Sequence, residues 1–410
     1  MSVDVCGTTD QIGLGQMPPT RTCPVCGGQR VERLGDLRYA FFPGTPLAEA
    51  YPVVSCQGCG FVTCRTPSTQ RDLDRFYADY ACSPTSAAHA LREDERQYYR
   101  EMLELATDGL SPDRDVLFDV GCGSGNFLRV CRDAGWTQLY GIDPATSCSA
   151  ALHSAGFHAA LGGTANLPFR EIQPSVIVLS HTLEHVLDLP ATLASLRGRL
   201  RHGGRLYIEV PDAARYDAIE PDAPLRFFYP QHLLHLDAVH LDNLLLSHGF
   251  RKTAGGVRER IEHELTLPAI WATYVCDAPF EPGGATAWRP DSALAQRMRT
   301  WFERAEPLDP TGIFSELAER GDPVYVWGVG IHVQMMLGMS PLRRCRIVCC
   351  VDQNPRLHSQ RLQGHAIVSP DVLRSATARD TVVIGSRIHR DQMMRQLRES
   401  IHFPGRVVTV

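Results

Sequence analysis

Four cysteines near the start of the chain have the residue type and the spacing of metal ligands. Two Cys-x-x-Cys pairs are present, Cys23 with Cys26 and Cys56 with Cys59, and a glycine follows each pair. Each such turn directs two thiolates toward one point, and two turns complete the tetrahedral shell that zinc prefers. Because thiolates fill the whole shell, we expect this zinc to be structural. The alternative is a pair of redox motifs, which the sequence disfavours because no βαβ pattern surrounds them.

A glycine-rich turn in the middle of the chain could hold a cofactor. The apolar stretch VLFDV runs directly into the turn GCGSG, whose glycines are Gly121, Gly123 and Gly125. Glycine lets the backbone approach a ligand closely, and doubly wound sheets bind cofactors at the carboxyl edge of their strands. The alternatives are a dinucleotide site, although the GxGxxG spacing is missing, and a packing turn without a ligand.

Two acidic residues accompany this turn. Asp143 ends the next predicted strand, where its carboxylate can accept both hydroxyls of a ribose. Asp119 precedes the turn, whereas a dinucleotide needs the helix N-terminus for its pyrophosphate. A sulfonium cofactor carries no phosphate and therefore fits this pattern better.

Two later clusters contain groups that could move a proton. His181, Glu184 and His185 follow the stretch SVIVLS, and Tyr229 and His232 lie in the segment FYPQHLLH. A histidine has a suitable pKa for general-base catalysis, and a nearby carboxylate can orient it. If a helix begins at His181, the first three residues share one face. We take His181, Glu184, Tyr229 and His232 as candidate catalytic residues. The alternatives are that these histidines support the cofactor or a helix start, and that the second segment is a packed loop rather than a lid.

A weaker glycine turn occurs near the C-terminus. It contains Gly328, Gly330 and His332, and Asp352 ends the following predicted strand. Two glycines are a weak nucleotide signal. We favour a degenerate Rossmann-like domain that frames the substrate or forms a dimer contact, with a second cofactor site as the alternative.

The elements that must position these residues alternate in type. Apolar strands separated by amphipathic helices predict right-handed crossovers and a mostly parallel, doubly wound sheet in the middle of the chain. A helix is expected over residues 87–109 as a linker, a Pro/Gly-rich linker over 278–290, and a second α/β alternation from about residue 324. The predicted regions are a flexible tail at 1–20, a zinc-binding module at 21–82, a cofactor-binding domain at 83–275 and a Rossmann-like domain at 276–410.

Composition narrows the function classes. The chain has 410 residues, a formal net charge of -5 and 14 cysteines. This charge does not attract nucleic acid or anionic lipid, and neither a secretory signal nor a bilayer-spanning apolar stretch is apparent. We therefore expect a cytoplasmic protein with mostly reduced cysteines, a small-molecule substrate, no nucleic-acid or membrane partner, and a monomeric or homodimeric state.

Four motifs in order resemble the class I S-adenosylmethionine-dependent methyltransferases. They are DVGCGSG (119–125), GIDP (141–144), LPF (167–169) and SHTLEH (180–185), within a match over about residues 115–250. The resemblance implies that the three glycines of the turn, with Cys122, line the methionine portion of S-adenosylmethionine. It also implies that Asp119 faces the amino group and that Asp143, followed by Pro144, holds the ribose. The backbone near Thr164 and Ala165 would meet the adenine, and His181 would lie beside the cofactor.

The order of the three regions resembles the sugar C-methyltransferases that act on nucleotide-linked 4-keto-deoxysugars. The resemblance implies an α/β fold with a class I methyltransferase core between a zinc-binding module and a C-terminal Rossmann-like domain. It also implies that a general base removes a proton beside a ketone and that the enolate attacks the sulfonium methyl. That family has a Tyr-His-Glu-His motif and a later His-Gly-Gly segment. Here Tyr229 and His232 match, whereas Pro230 and Gln231 replace the middle pair and residues 254–256 read Ala-Gly-Gly.

Because glutamine cannot act as a base, the proton would pass to His232, His181 or Tyr229. Two other functions fit the same residues: an O- or N-methyltransferase of another natural-product intermediate, and a non-methylating cyclase or binding protein that holds S-adenosylmethionine. A zinc-ribbon modifier of nucleic acid is disfavoured by the charge balance.

Overall fold

The computed structural model describes residues 22–78, 91–219, 224–262, 265–276, 288–304, 308–309 and 311–409. The predicted tail at 1–20, the start of the predicted helix at 87–90 and most of the predicted linker at 278–290 lie outside these ranges. In the described ranges, no helix has both the length and the apolar character needed to cross a bilayer.

The strands form three sheets. In chain order they are β1 (Val31–Arg38), β2 (Ala50–Cys56), β3 (Val62–Cys64), β4 (Val116–Val120), β5 (Gln138–Asp143), β6 (His158–Leu161), β7 (Val176–Ser180), β8 (Arg205–Pro211), β9 (Leu234–His235), β10 (Arg251–Glu262), β11 (Leu265–Val275), β12 (Pro323–Trp327), β13 (Arg346–Val351), β14 (Arg361–Leu362), β15 (His365–Val368), β16 (Thr381–Ile384) and β17 (Arg406–Thr409).

The α-helices cover the sheets and connect their strands. They are α1 (Gln70–Phe76), α2 (Glu93–Thr107), α3 (Asn126–Asp133), α4 (Thr146–Ser154), α5 (Leu189–Arg199), α6 (Tyr216–Ile219), α7 (Ala238–Leu246), α8 (Ala293–Glu303), α9 (Ile313–Arg320), α10 (Ile331–Met339) and α11 (Arg390–Arg395). Single turns of 3-10 helix occur at Leu183–His185, Ala213–Arg215, Pro224–Phe227, Pro341–Arg344 and Pro355–Leu357, with a longer one at Pro370–Ser375 and a π-helix at Gln396–Ile401.

The central sheet has the strand order β10-β11-β8-β7-β4-β5-β6. The five strands from β8 to β6 are parallel, and the β10–β11 hairpin adds an antiparallel edge. Strand β4 reads as a nearly continuous apolar run because parallel strands are covered on both faces. The predicted α/β class and Rossmann-like central sheet are confirmed.

Helix α2 is not a linker, contrary to our prediction. Its Met102, Leu103 and Ala106 are buried in one cluster with Leu117 of β4 and Tyr207 of β8. The apolar positions that predicted an amphipathic helix therefore pack on one face of the central sheet.

The N-terminal sheet contains a strand from a distant part of the chain. Its order is β1-β2-β3-β9, and β9 lies within the histidine-rich segment that we expected to be a loop. Val62 pairs with His235 and Thr63 with Leu234. Because Leu234 and His235 are both buried, this short pairing fixes the end of the segment that carries the second candidate cluster.

The C-terminal sheet has the order β14-β15-β13-β12-β16-β17 and is parallel except at β14. This second α/β sheet agrees with the sequence pattern. Helix α10 lies against the N-terminal sheet: Ala40 donates its N–H to the carbonyl of Gln334 at 2.8 Å. A Cβ on Gly338 would lie 2.3 Å from the carbonyl oxygen of Arg38, so this contact requires glycine.

Candidate functional site

A cavity of about 810 Å³ separates the central sheet from the C-terminal sheet. Its first wall carries His181, Glu184, Tyr229 and His232, which are the four candidate catalytic residues. Its second wall comes from the C-terminal sheet and includes the glycine turn after β12. The structure therefore brings together two clusters that are separated by more than forty residues in the sequence.

The central glycine turn is tightly constrained. Gly121, Gly123 and Gly125 all have positive φ angles, of 81°, 50° and 77°. A Cβ on Gly121 would lie 2.2 Å from the hydroxyl of Thr182, which itself donates to the carbonyl of Val120 at 3.0 Å. At Gly123, by contrast, a Cβ would meet nothing within 4 Å. The turn thus packs against the segment after β7 and leaves open space at its tip.

Asp143 links this turn to the next helix. One carboxylate oxygen accepts the N–H of Gly123 at 2.9 Å, and the other accepts the N–H of Ala145 at 2.8 Å. Burial raises the pKa of Asp143, while these two hydrogen bonds lower it in part. Pro144 follows and is half-buried. The carboxylate is held at the carboxyl edge of β5, which is the position we expected for a ribose ligand.

Asp119 lies in β4, buried beneath the turn. Burial raises its pKa to about 7, and the negative charge of Asp143 contributes to this rise. A buried carboxyl of this kind is stabilised in its charged form by a nearby cation.

The other predicted cofactor residues differ in exposure. Cys122 is buried, and a Cβ on Gly141 would lie 3.1 Å from its sulfur, so its side chain packs on β5. Thr164 is half-buried and its hydroxyl lies 3.1 Å from that of Thr192, whereas Ala165 is exposed. The side chain of Cys122 is therefore buried, whereas Ala165 lies at the surface.

His181 is held between two buried carboxylates. Its Nδ1 lies 3.6 Å from Glu184 Oε1, and its Nε2 lies 3.5 Å from Glu209 Oε1. Its backbone has a φ of 50° and its N–H donates to the carbonyl of Glu209 at 2.8 Å. A helix does not begin at His181, as we had considered: Leu183–His185 forms one turn of 3-10 helix, and α5 starts only at Leu189. Positive φ at a non-glycine residue is costly and concentrates at functional sites.

Glu209 of β8 was missed by the sequence analysis. Its carboxylate accepts hydrogen bonds from Tyr207 at 2.7 Å, from Arg258 at 2.9 Å and from Tyr98. Burial raises its pKa to about 7, although Arg258 opposes this rise. The signal was present in the sequence, because Glu209 is the acidic residue in the apolar strand RLYIEVP, and buried charges without a function are uncommon.

Glu184, His185 and His232 form a compact group in the same wall. The rings of His185 and His232 are 4.9 Å apart, and His185 Nε2 lies 3.8 Å from Glu184 Oε1. Burial raises the pKa of Glu184. Desolvation lowers the pKa of His232 well below its usual value, and nearby histidines add to this effect. The uncharged form of His232 is therefore favoured.

Two tyrosines border this group. The Tyr229 ring lies 5.0 Å from that of His232 and 5.6 Å from that of His332, so it bridges the two walls. Tyr77 lies 5.6 Å from His185, and burial raises its pKa, with the charges of Glu184 and Asp143 adding to the rise. Tyr77 thus lies between the central glycine turn and the histidine group. Nothing in the sequence pattern around Tyr77 pointed to this role.

The second wall repeats the geometry of the first turn. Gly328 donates its N–H to the carbonyl of Val351 at 2.8 Å, and Val329 donates to Asp352 Oδ2 at 3.3 Å. A Cβ on Gly330 would enter open space. Burial, together with the positive charges of Arg226 and Arg387, lowers the pKa of His332 to about 4. Arg387 also lines the cavity, so this wall has cationic character around a neutral His332.

The four N-terminal cysteines are close together in a separate part of the structure. Their sulfur atoms all lie within 4.8 Å of one another, with Cys23 to Cys59 and Cys26 to Cys56 both at 3.5 Å. In each Cys-x-x-Cys turn, the glycine after the second cysteine donates its N–H to the carbonyl of the first cysteine. Gly27 donates to Cys23 at 2.9 Å, and Gly60 donates to Cys56 at 2.8 Å.

The sequence matches two family models. The model described as a methyltransferase domain covers residues 90–254, and the model described as "C2185-like, N-terminal" covers residues 322–408. The chain is also 31% identical over 150 residues to the protein named "Methyltransferase ungE'" from Aspergillus campestris, which is 35% of this chain and 43% of that protein. The chain thus covers less than half the length of this relative.

Solved structures of methyltransferases are similar at low sequence identity. An S-adenosylmethionine-dependent methyltransferase from Methanosarcina mazei is 16% identical with a TM-score of 0.36, over 40% of this chain and 93% of that one. The N-methyltransferase NodS from Bradyrhizobium japonicum, in complex with S-adenosyl-L-homocysteine, is 14% identical with a TM-score of 0.36, over 50% of this chain and 96% of that one.

The family match spans the central parallel sheet, the glycine turn and the segment from His181 to His235. Residues 90–254 are therefore similar to a methyltransferase domain.

Proposed function

We propose that this protein transfers a methyl group from S-adenosylmethionine to a carbon beside the ketone of a nucleotide-linked keto-deoxysugar. The observation that carries the proposal is the shared cavity: candidate bases form one wall, and a Rossmann-like glycine turn forms the other. A volume of about 810 Å³ is in the range of small-molecule sites.

The central turn fits the cofactor. Open space at Gly123 admits a ligand close to the backbone, and the buried carboxyl of Asp119 suits a cationic amino group. Asp143 is positioned to accept ribose hydroxyls from the carboxyl edge of β5. When bound, S-adenosylmethionine supplies an electrophilic methyl group on sulfur.

His181 is the group best placed to remove the proton. It directly precedes Thr182, which packs on Gly121 of the cofactor turn, and it also lines the cavity. Glu184 and Glu209 lie on its two sides, so the imidazolium that forms on proton uptake is stabilised. The carbanion equivalent left on the acceptor would then attack the sulfonium methyl group.

The second wall suits the nucleotide part of the acceptor. Helix α10 begins immediately after Gly330, and N-termini of helices favour phosphate groups. Arg387 and Arg260 line the same cavity and add positive charge. No acidic residue stands in β12 at the position that Asp119 occupies in β4, so the carboxylate at this turn is that of Asp352, which accepts the N–H of Val329.

We further propose that the four N-terminal cysteines hold a structural zinc ion. The donor set fits, because four sulfur atoms within 4.8 Å of one another can close to tetrahedral coordination at zinc–sulfur distances of about 2.3 Å. The zinc would join the turn before β1 to the β2–β3 hairpin. Metal analysis tests this: we expect one zinc per chain in the wild type and a loss of zinc in Cys56→Ser. Full zinc content in this variant would refute it.

Methyl transfer is tested by mass spectrometry with S-adenosylmethionine that carries an isotope-labelled methyl group. The acceptors are nucleotide-linked 4-keto-deoxysugars, their hydroxyl analogues and buffer alone. Label on the carbon beside the ketone is the expected result. Label found only on the oxygen of the hydroxyl analogues would show that the acceptor atom is oxygen and not carbon. Transfer to no acceptor would contradict the proposal.

A further inference from the structure

The cavity wall contains a group of side chains with the composition of a metal site. Glu184, His185 and His232 each present a ligand atom, and these atoms all lie within 4.8 Å of one another. All three residues line the cavity. One carboxylate and two imidazoles are a common ligand set for divalent transition metals that keep open coordination positions.

The carboxylate of Glu184 lacks the partners that a buried charge normally has. Its side chain is only 2% exposed, and among the described residues neither oxygen accepts a hydrogen bond. The nearest basic atoms are imidazole nitrogens at 3.6 Å and 3.8 Å. A buried carboxylate without hydrogen-bond partners is costly, and a bound cation would offset this cost.

His185 is already oriented as a ligand. Its Nδ1 lies 2.9 Å from the carbonyl oxygen of Gln231, which can only accept, so Nδ1 carries the proton. In this tautomer Nε2 is the nitrogen with the free lone pair, and it is the atom that faces Glu184. Hydrogen bonds of this kind fix the tautomer and ring orientation of metal-binding histidines. Gln231, which replaces a motif residue, thus acts here through its backbone.

We propose that Glu184, His185 and His232 bind a divalent transition-metal cation that coordinates the ketone oxygen of the acceptor. This role rests on the proposed methyl transfer. The C–H bond beside the ketone breaks, the proton goes to His181, and the electron pair moves onto the oxygen held by the cation. The pair returns as the new C–CH₃ bond forms and the S–CH₃ bond breaks, which leaves S-adenosylhomocysteine. The cation keeps its oxidation state and stabilises the negative oxygen.

Mn²⁺ alone is the probe, because it prefers oxygen and nitrogen ligands and binds poorly to the four-cysteine cluster. The full chain is titrated with Mn²⁺ and followed by electron paramagnetic resonance. We expect one Mn²⁺ site in the wild type and affinities at least about tenfold weaker in Glu184→Gln and His185→Gln. His153→Gln, on the exposed side of α4, is the matched control and should bind Mn²⁺ as the wild type does.

The two proposals fail in different ways. Absence of Mn²⁺ binding to the wild type, or wild-type affinity in both ligand variants, would overturn the metal site. An altered near-ultraviolet circular dichroism spectrum would show that Glu184→Gln disturbs the fold. In that case the Mn²⁺ affinity of His185→Gln decides, because the side chain of His185 is only half-buried and its replacement disturbs the packing less. Mn²⁺ binding without transfer to any acceptor would support the site and refute the proposed function. Methyl transfer by wild-type protein from which EDTA has removed metal would support the proposed function and refute the proposed role of the metal.

Discussion

The two glycine turns of this molecule share their hydrogen bonds but differ in charge. In both, the first glycine donates to a carbonyl near the end of the neighbouring strand. An N–H further along the turn donates to an aspartate: Gly123 to Asp143 in the central sheet, and Val329 to Asp352 in the C-terminal sheet. The central turn has the buried Asp119 beneath it, whereas β12 is apolar at that position. One acidic residue thus separates a turn suited to a cationic cofactor from one suited to a neutral or anionic ligand.

The two turns also differ in what surrounds their glycines. A Cβ on Gly121 would lie 2.2 Å from the Thr182 hydroxyl, whereas a Cβ on Gly328, the first glycine of the second turn, would lie 3.6 Å from the Cβ of Ser386, an ordinary contact distance. We infer a division of roles, with the cofactor at the first turn and the acceptor at the second.

Replacement of His181 should have the largest effect on the rate of methyl transfer. This residue lines the cavity and directly precedes Thr182, which packs on the first glycine turn. We expect His181→Asn to lower kcat for methyl transfer by about 10²–10⁴-fold, the usual contribution of a general base. The measurement is the initial rate at saturating acceptor, with S-adenosylhomocysteine binding as a check on folding. A rate near that of the wild type would move the base to His232 or Tyr229.

Gly121→Ala should damage the first turn. The new methyl group would lie 2.2 Å from the Thr182 hydroxyl at a φ of 81°, at a cost of about 1–3 kcal/mol. We expect S-adenosylhomocysteine binding, measured by calorimetry, to weaken about tenfold or more. The matched control is Gly203→Ala, which has a φ of 69° and open space around the new methyl group. Equal binding by both variants would show that the contact with Thr182 does not shape the site.

Cofactor affinity should depend on pH through Asp119. Its pKa is raised to about 7 in the protein without ligand, so the carboxyl is largely protonated below that pH. A cationic amino group needs the ionised form, and affinity should therefore rise about tenfold from pH 6 to pH 8, with proton release on binding. Asp119→Asn should remove most of this dependence. A pH-independent affinity in the wild type would contradict the role of Asp119.

Gly330→Val should affect the second turn alone. The backbone tolerates a side chain at this position, and the added atoms point into the cavity. We expect the KM for the acceptor to rise by roughly fivefold, which corresponds to about 1 kcal/mol, with unchanged S-adenosylhomocysteine binding. An unchanged KM together with weaker cofactor binding would reverse the assignment of the two turns.

The sequence predicted local features better than long-range ones. The cysteine pairs, the first glycine turn and Asp143 could be identified because each depends on nearby residues and fixed spacing. The Glu209 network could not be assembled, because Arg258 reaches it only through the pairing of β10, β11 and β8. The pairing of β9 with β3 joins residues far apart in the sequence, and a two-residue strand has too little pattern to be recognised.

The backbone of His181 was another feature without a sequence signal. The expectation of a helical face assumed regular dihedral angles after β7, but the residue adopts a positive φ that turns its ring between two carboxylates. Such strain depends on the surrounding packing rather than on local propensity. The position of Tyr77 beside His185 likewise depends on packing between residues far apart in the sequence.

The most direct test of the division of roles compares the two corresponding aspartates. S-adenosylhomocysteine is titrated by calorimetry into the wild type, Asp143→Asn and Asp352→Asn under identical conditions. We expect Asp143→Asn to weaken binding by about tenfold, the loss of a charged hydrogen-bond acceptor, and Asp352→Asn to leave it unchanged. Weaker binding in Asp352→Asn with wild-type binding in Asp143→Asn would contradict the assignment of the cofactor to the central turn.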